Sequence, residues 1–469
     1  VALLGLSAVF LVEMLDNSIL TVALPAIGRD LHASTSSLQL VTGAYAVAFG
    51  GLMLVLGAVA DRVGRRRVML GGLVLLGLAS LATAFVTTTG QLVGVRAVMG
   101  VAAAMTTPGS LALAFRLFDD DALRVRATTL ISTVGLVGLA LGPTAGGVVL
   151  SFAPWQVLLL VNVPVAALAF VGIRRGIAPD AAGERHRAPV DVAGGLLGTT
   201  AIVLALVALP LLVDPSAPAG LSRAAAGGAV LAAAGFVARE RTARHPMLDL
   251  ALVARPLVSS GLAYKAATGL ATAGLGFLVT LQLQLAWGWT PAQAALGMLP
   301  QVVVLVAGGA LVGPVVRRLG LETAGWVSAV AVVGGLAVYG ALGSRGYPWI
   351  ALALVLVAAG MRVNGVVAGT TVLRGLPEDR TTIGAALVDT ASEVATAVGV
   401  AVSGTVLALL FPGDVTATGW TAAQTAAFDH AVTVSGVVLT ALAAALLTGG
   451  VRRAARAGRG RAQGPDSAS

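Results

Sequence analysis

The chain reads as a succession of long apolar runs separated by short polar connections. Fourteen runs are long enough to cross the roughly 30 Å hydrocarbon core of a bilayer as helices, which takes about 20 apolar residues each. They lie near 2–27, 39–60, 68–86, 91–115, 125–149, 155–173, 191–213, 220–238, 257–286, 292–316, 322–342, 348–373, 382–411 and 428–450. None alternates apolar with polar residues as a membrane barrel strand would. The pattern predicts an all-α polytopic membrane protein. The run 257–286 exceeds one straight crossing and is expected to tilt or kink. The first run lacks the basic start and small-residue cleavage site of a secretory signal, so it reads as a span.

Charge supports this reading. Only 11 % of the 469 residues are charged and 57 % are hydrophobic, against about 25 % charge in a water-soluble chain. The 30 basic residues are 29 Arg and Lys265. Twenty-four Arg fall in every second connection and in the C-terminal tail; Arg29, Arg223 and Arg345 fall on the other side. Arg96, Lys265 and Arg362 lie inside runs. This asymmetry predicts cytoplasmic termini in a cytoplasmic membrane. The net charge of +9 is thereby a topology signal, and no nucleic-acid partner is expected. Trp155, Trp287, Trp289 and Trp349 fall at outer ends and are expected to anchor at the interface.

Two longer connections, 174–190 and 239–256, bracket the seventh and eighth runs, whose cores hold no ionisable residue. The expected organisation is a six-helix bundle over 1–175, a two-helix insert with its linkers over 176–255, and a second six-helix bundle over 256–450. A basic, disordered tail is expected over 451–469. A weak repeat supports two similar halves. Gly57-Ala-Val-Ala-Asp61-Arg62-Val-Gly64 follows the second run, and Gly313-Pro-Val-Val-Arg317-Arg318-Leu-Gly320 follows the tenth.

Seven ionisable side chains fall well inside spans: Glu13, Asp16, Arg96, Lys265, Arg362, Asp389 and Glu393. Each costs roughly 2.5–3.5 kcal/mol at the bilayer centre. Together they would exceed the net stability of a typical fold, about 5–15 kcal/mol. They must face water, pair, or titrate to neutral. At about 1.5 Å per residue, Asp16 lies within reach of Arg96, which predicts a pair in the first half. A cluster of Lys265, Arg362, Asp389 and Glu393 is expected in the second. Glu13 with Asp16, spaced i,i+3, and Asp389 with Glu393, spaced i,i+4, each share a helix face. Like charges that close raise one pKa, which suits a reversible proton carrier.

Four motifs carry a family resemblance. Leu15-Asp16-Asn17-Ser18-Ile-Leu-Thr21-Val-Ala23-Leu24-Pro25 resembles the first-helix signature of the fourteen-span drug:proton antiporters of the major facilitator superfamily. Gly57, Asp61, Arg62, Gly64, Arg65, Arg66 and Arg67 match its loop 2–3 motif. Arg96-Ala-Val-Met-Gly100 resembles the fourth-helix motif. Gly138-Leu-Ala-Leu-Gly142-Pro143-Thr-Ala-Gly146-Gly147 resembles the fifth-helix antiporter motif, and Trp155 with Asn162-Val-Pro164 the sixth-helix pattern. The resemblance implies the major facilitator fold, two six-helix bundles plus two extra transmembrane helices. It implies a loop 2–3 latch favouring the outward-open state, a fifth-helix seal against proton leak, and proton coupling by Arg96 near Asp16. Ser18 and Thr21 replace the usual Thr and Asn, and Met99 a frequent Gln. Asp389 and Glu393 stand where the family often shows an Arg before a Gly-rich run.

Enzymatic readings find little support. His32, His186, His245 and His430 have no metal-ligand spacing, so no metal site is expected. No G-x-S-x-G occurs. The only lysine, Lys265, lies within a span and outside any phosphate-binding loop. The absence of cysteine excludes thiol chemistry. The expected function is a monomeric, proton-coupled exporter of amphiphilic, cationic drugs or secondary metabolites, driven by the proton gradient without a cofactor. Gln282, Gln284 and Asn364 are candidate cavity-lining residues. A proton-coupled uptake symporter and a non-transporting sensor or scaffold are the alternatives.

Overall fold

The structure is a computed structural model that describes residues 1–118, 120–180, 191–213, 218–244, 248–377, 381–417 and 419–462. The described residues are helical with short connections. Seventeen α-helices run in chain order. The first seven are α1 (Ala2–Asp30), α2 (Thr35–Val63), α3 (Arg65–Ala82), α4 (Thr89–Arg116), α5 (Asp121–Val149), α6 (Gln156–Leu160) and α7 (Asn162–Gly176). Two more follow, α8 (Val192–Val213) and α9 (Ala219–Thr242), then a short α10 (Leu250–Ala254). The last seven are α11 (Pro256–Leu281), α12 (Pro291–Gly297), α13 (Leu299–Ala307), α14 (Gly309–Leu342), α15 (Tyr347–Gly375), α16 (Thr381–Leu410) and α17 (Ala422–Ala462).

Local chemistry sets many of these boundaries. Ser34 caps α2 by accepting from the Ser37 amide. Thr88 with Gln91, and Thr290 with Gln293, form reciprocal capping boxes at the starts of α4 and α12, which satisfies amides that have no partner within the helix. Pro291 occupies the first turn of α12, where its missing N–H costs nothing. Gly64, at φ 122°, ends α2 and starts α3 in a conformation that a side chain would oppose.

Thirteen helices among the described residues are long and apolar enough to cross a membrane, with α6 and α7 together making one. The expected run 292–316 is where this number departs from fourteen. It is divided into α12, α13 and the start of α14, interrupted at Met298 and Gly308. Continuous helix does not turn back, but Gly320 in α14 has φ 77° and ψ 162°, so two helices meet there. The long run 257–286 is one helical stretch in which α11 gives way to a π-helical turn over Gln282–Ala286. One expectation fails at the C-terminus. Part of the tail expected to be disordered continues α17 to Ala462, since Ala and Arg are strong helix formers. Residues 463–469, and His186 and His245, lie outside the described residues.

Contacts sort the helices into groups. In the first, α1 packs on α5 and α7, α2 on α4, and α3 on α4 and α7. In the second, α11 packs on α15, α16 and α17, and α14 on α15 and α17. The groups meet where α2 lies along α16, α5 on α12 and α13, and α1 on α11. The α8–α9 pair packs against α2 and α16. Placed contacts between the groups include Gly28 with Thr416, Gly147 with Pro291 and Ala295, and the Gln284 amide with the Val22 carbonyl. These lie toward the face opposite the chain termini.

Trp155 corrects another expectation. It is 4 % exposed, and its indole N–H donates to Asp30 at 2.8 Å. The exposed Asp30 carboxylate takes up the indole N–H while the ring itself packs inside the helices. Trp349 is exposed. Trp287 and Trp289 stack in a row with Tyr347.

Candidate functional site

The first-half charges converge inside the α1–α4–α7 packing. Arg96 of α4 forms an ion pair through Nη1 with Oδ2 of Asp16. The other Asp16 oxygen accepts from Asn162 Nδ2 at 2.8 Å. The Arg96 guanidinium also lies 4.5 Å from the centroid of the Tyr45 ring, a cation–π arrangement favoured where water is scarce. Asp16 is 2 % exposed and Arg96 1 %. Gly100, one turn beyond Arg96, lets α4 approach the Tyr45 backbone; a Cβ there would collide with it.

Glu13, one turn before Asp16, makes different contacts. Its Oε2 accepts from Thr107 Oγ1 at 2.6 Å. A cavity of about 10 Å³, room for about one water, borders both acids, with Tyr45 and Thr106 among its walls. Glu13 also interacts electrostatically with Glu393 and Asp389 of α16. Acids from the two helix groups therefore stand within electrostatic reach of each other. The helices come close here because of Gly50 of α2: a Cβ on it would lie 2.8 Å from Glu393 Cβ.

In the second group the expected four-charge cluster contracts to three. Lys265 of α11 acts electrostatically on both Asp389 and Glu393, though neither acid comes within ion-pair distance of it. Glu393 is 9 % exposed and its Oε2 makes no hydrogen bond. Arg362 stands apart. Its guanidinium extends from α15 over Gly309 of α14, where a Cβ would collide with it. No carboxylate among the described residues reaches ion-pair distance of it. The expected cluster placed Arg362 with Glu393, but the direction of its side chain, toward Gly309, takes it away.

The three candidate lining residues each hydrogen-bond to a neighbouring helix or connection. Gln282 donates to the Gly343 carbonyl at 3.1 Å and accepts from the Tyr339 hydroxyl at 2.9 Å. Gln284 donates to Val22 O at 2.9 Å, joining the two groups. Asn364 donates to Tyr264 O and Thr268 Oγ1, both at 2.8 Å. Buried amides need such partners; the NH2 groups of Gln284 and Asn364 have them, while their side-chain oxygens have none.

The loop 2–3 motif is held by its own half. Asp61 pairs with Arg65 at 2.5 Å, one helical turn away. The Asp180 carboxylate, in the linker after α7, accepts from the Arg66 amide at 3.2 Å and the Arg67 amide at 3.4 Å, capping α3 from outside. Arg66 Nη2 donates to Arg174 O at 2.8 Å. Arg62 is exposed, and Gly57 faces Pro108. In the fifth-helix motif, Gly138, Gly142 and Gly146 lie against Leu11, Ser18 and Ile19 of α1, while Gly147 lies against α12. Pro143 is buried inside α5.

Asn162, Thr107 and Tyr45 were not singled out for these contacts by the sequence reading. Asn162 offered a signal, an amide in an otherwise apolar run. Thr107 and Tyr45 offered none, because threonine and tyrosine are ordinary in such helices.

Residues 6–400 match the family described as Major Facilitator Superfamily. The chain belongs to the Major Facilitator Superfamily. Solved transporter structures share the fold. A bacterial homologue of the human lysosomal transporter Spinster superposes with a TM-score of 0.67 at 16 % identity, covering 96 % of each chain. Among sequence relatives, the multidrug efflux pump LfrA of Mycolicibacterium smegmatis is 31 % identical over 96 % of this chain and 89 % of its own. The cephamycin export protein CmcT of Amycolatopsis lactamdurans is 35 % identical over 67 % of this chain and 65 % of its own. The superfamily resemblance drawn from the motifs is thus the family to which the chain belongs, and the all-α polytopic fold expected from the apolar runs is the one observed.

Proposed function

We propose that the chain is a proton-coupled antiporter that exports amphiphilic, cationic drugs or secondary metabolites. The supporting observation is the approach of Glu13 in one half to Glu393 and Asp389 in the other, beside a helix seam that must move if the halves rock. Two like charges presented from opposite halves oppose closure in a medium of low dielectric. A proton, or a cation of the substrate, removes that opposition. Loaded forms then turn over and the empty, doubly charged form is held back, which is the rule of exchange. A ligand moves such an equilibrium only by its differing affinity for the two states. Asp16 is committed to Arg96 and Asn162, so its role is to hold the first half's shape. Lys265 offsets part of the charge on Asp389 and Glu393.

In this reading fourteen helices span the cytoplasmic membrane, both termini are cytoplasmic, and the central pair α8–α9 is inserted between two six-helix bundles. The contacts at the face opposite the termini close the outer side. The α5 glycines keep that closure tight against proton leak, and the Asp61–Arg66 motif steadies the alternate state. The chain acts as a monomer, without enzymatic chemistry, and the proton gradient supplies the energy without a cofactor. Export by LfrA and CmcT, as their names state, supports the direction of transport.

The test is transport in proteoliposomes under an imposed proton gradient, with ethidium and internal pH followed together. Wild type is expected to move ethidium against the proton flow. Glu13→Gln and Glu393→Gln are each expected to lower gradient-driven transport by at least about tenfold, a coupling of about 1.4 kcal/mol. Ethidium moving in the same direction as protons would replace antiport with symport.

A further inference from the structure

The α8–α9 pair is attached unequally to the two halves. On the α2 side, Thr199 Oγ1 lies 2.7 Å from Gly51 O and shares its proton with its own Gly195 O at 2.9 Å. Gly51 permits the approach, since a Cβ there would lie 3.0 Å from Thr199 Cγ2. On the α16 side the contact is apolar. Leu206 packs on Ala397 and Ala401 of α16, in a small cluster that Ala46 and Val47 of α2 complete, with Ile202 alongside, and no hydrogen bond joins α8 to α16 among the described residues. A hydrogen bond is directional and fixes a register; contact with alanine methyls is not and permits sliding. The linker before α8 begins on the first half too, through Asp180 on the Arg66 and Arg67 amides. Asp191 then ties α8 to Arg239 of α9 at 3.0–3.2 Å.

The position of α8 matters because Gly50, next to Gly51, is where α2 crosses Glu393. Glu393 Oε2 has no hydrogen-bond partner, and a carboxylate facing acyl chains is costly. The outer surface of the pair is apolar, with Val230 and Leu231 exposed. We infer that α8–α9 is a seal that moves with the first half and covers the lipid side of the α2–α16 seam beside Glu393, while α16 slides along the Leu206 face during transport. Thr199 and Gly51 are the positioning residues of this seal. The inference rests on the exporter reading.

The chain has no native cysteine, so introduced pairs report without background. The Gly51→Cys/Thr199→Cys pair suits a direct disulfide, because a Cβ on Gly51 lies 3.4 Å from Thr199 Cα. The Leu206→Cys/Ala401→Cys pair takes a short bis-thiol cross-linker. Cross-linking 51 to 199 is expected to leave ethidium export running, and cross-linking 206 to 401 to abolish it, reversibly on reduction. Arrest by the first or continued export with the second overturns the seal. A measurement independent of activity covers variants that fail to transport. Spin labels at exposed Phe85, Leu221 and Leu409, in nanodiscs at acid and alkaline pH, are expected to keep the 85–221 distance and shift the 221–409 distance by several ångströms. A changing 85–221 distance or a fixed 221–409 distance overturns it. If the parent chain moves no ethidium, that result counts against the exporter reading, and the label distances still judge the seal.

Discussion

Arg96 is the residue whose chemistry is most constrained. It is fully buried, and its charge is offset by a single carboxylate and a tyrosine face. Removing one member of such a pair leaves the other charge stranded, at about 3–5 kcal/mol. Arg96→Ala is therefore expected to lower the melting temperature and yield in detergent, and Arg96→Ala with Asp16→Asn to recover much of both. Equal stability of the single and double variants would show that the pair is not what holds Arg96 in place. Residue identity made this pair legible in advance, because a charge in an apolar run must find an opposite charge. The third member, Asn162, escaped that logic: a neutral amide creates no imbalance to be resolved.

Helix pairs supply the next level of control. Gly142 of α5 sits against Ser18 of α1, where a Cβ would collide with the hydroxyl. Gly142→Val is expected to cost about 1–3 kcal/mol of packing and to raise proton leak across proteoliposomes, both measurable in the same preparation. An unchanged leak would separate the glycine face from sealing. The α8–α9 pair offers a pH-dependent counterpart. The Arg239 guanidinium beside Asp191 holds its carboxyl below the usual carboxylate range. A carboxyl with a depressed folded-state pKa adds stability above its unfolded value, about 3.9, and loses it as pH falls through the folded one. Asp191→Asn should lower the melting temperature slightly at neutral pH, and the difference from wild type should shrink in acid below about pH 4. A difference independent of pH would remove the ion pair as its source. At this scale the apolar runs located the helices well, yet Met298 and Gly308 divide the stretch expected as one tenth span. A hydropathy pattern records how apolar a segment is and is insensitive to a break between two equally apolar turns.

Across the whole molecule, the seams between groups are where the proposed transport cycle would act. The α2–α16 seam brings Glu13 toward Glu393, and the α8–α9 pair lies along the same seam. Such an arrangement links the charge state at mid-membrane to the closure of the two halves. The sequence by itself determined that the chain spans a membrane many times and that its few intramembrane charges cannot stand alone. These follow from transfer costs that each residue carries wherever it sits. Only the tertiary structure decided that Asn162 completes the Asp16–Arg96 pair, that Arg362 turns toward Gly309 and away from the acids, and that Gln282, Gln284 and Asn364 bind neighbouring helices. Those outcomes depend on how closely helices distant in sequence approach and which way each side chain points, and interaction energies over a few ångströms are fixed only when that geometry is fixed.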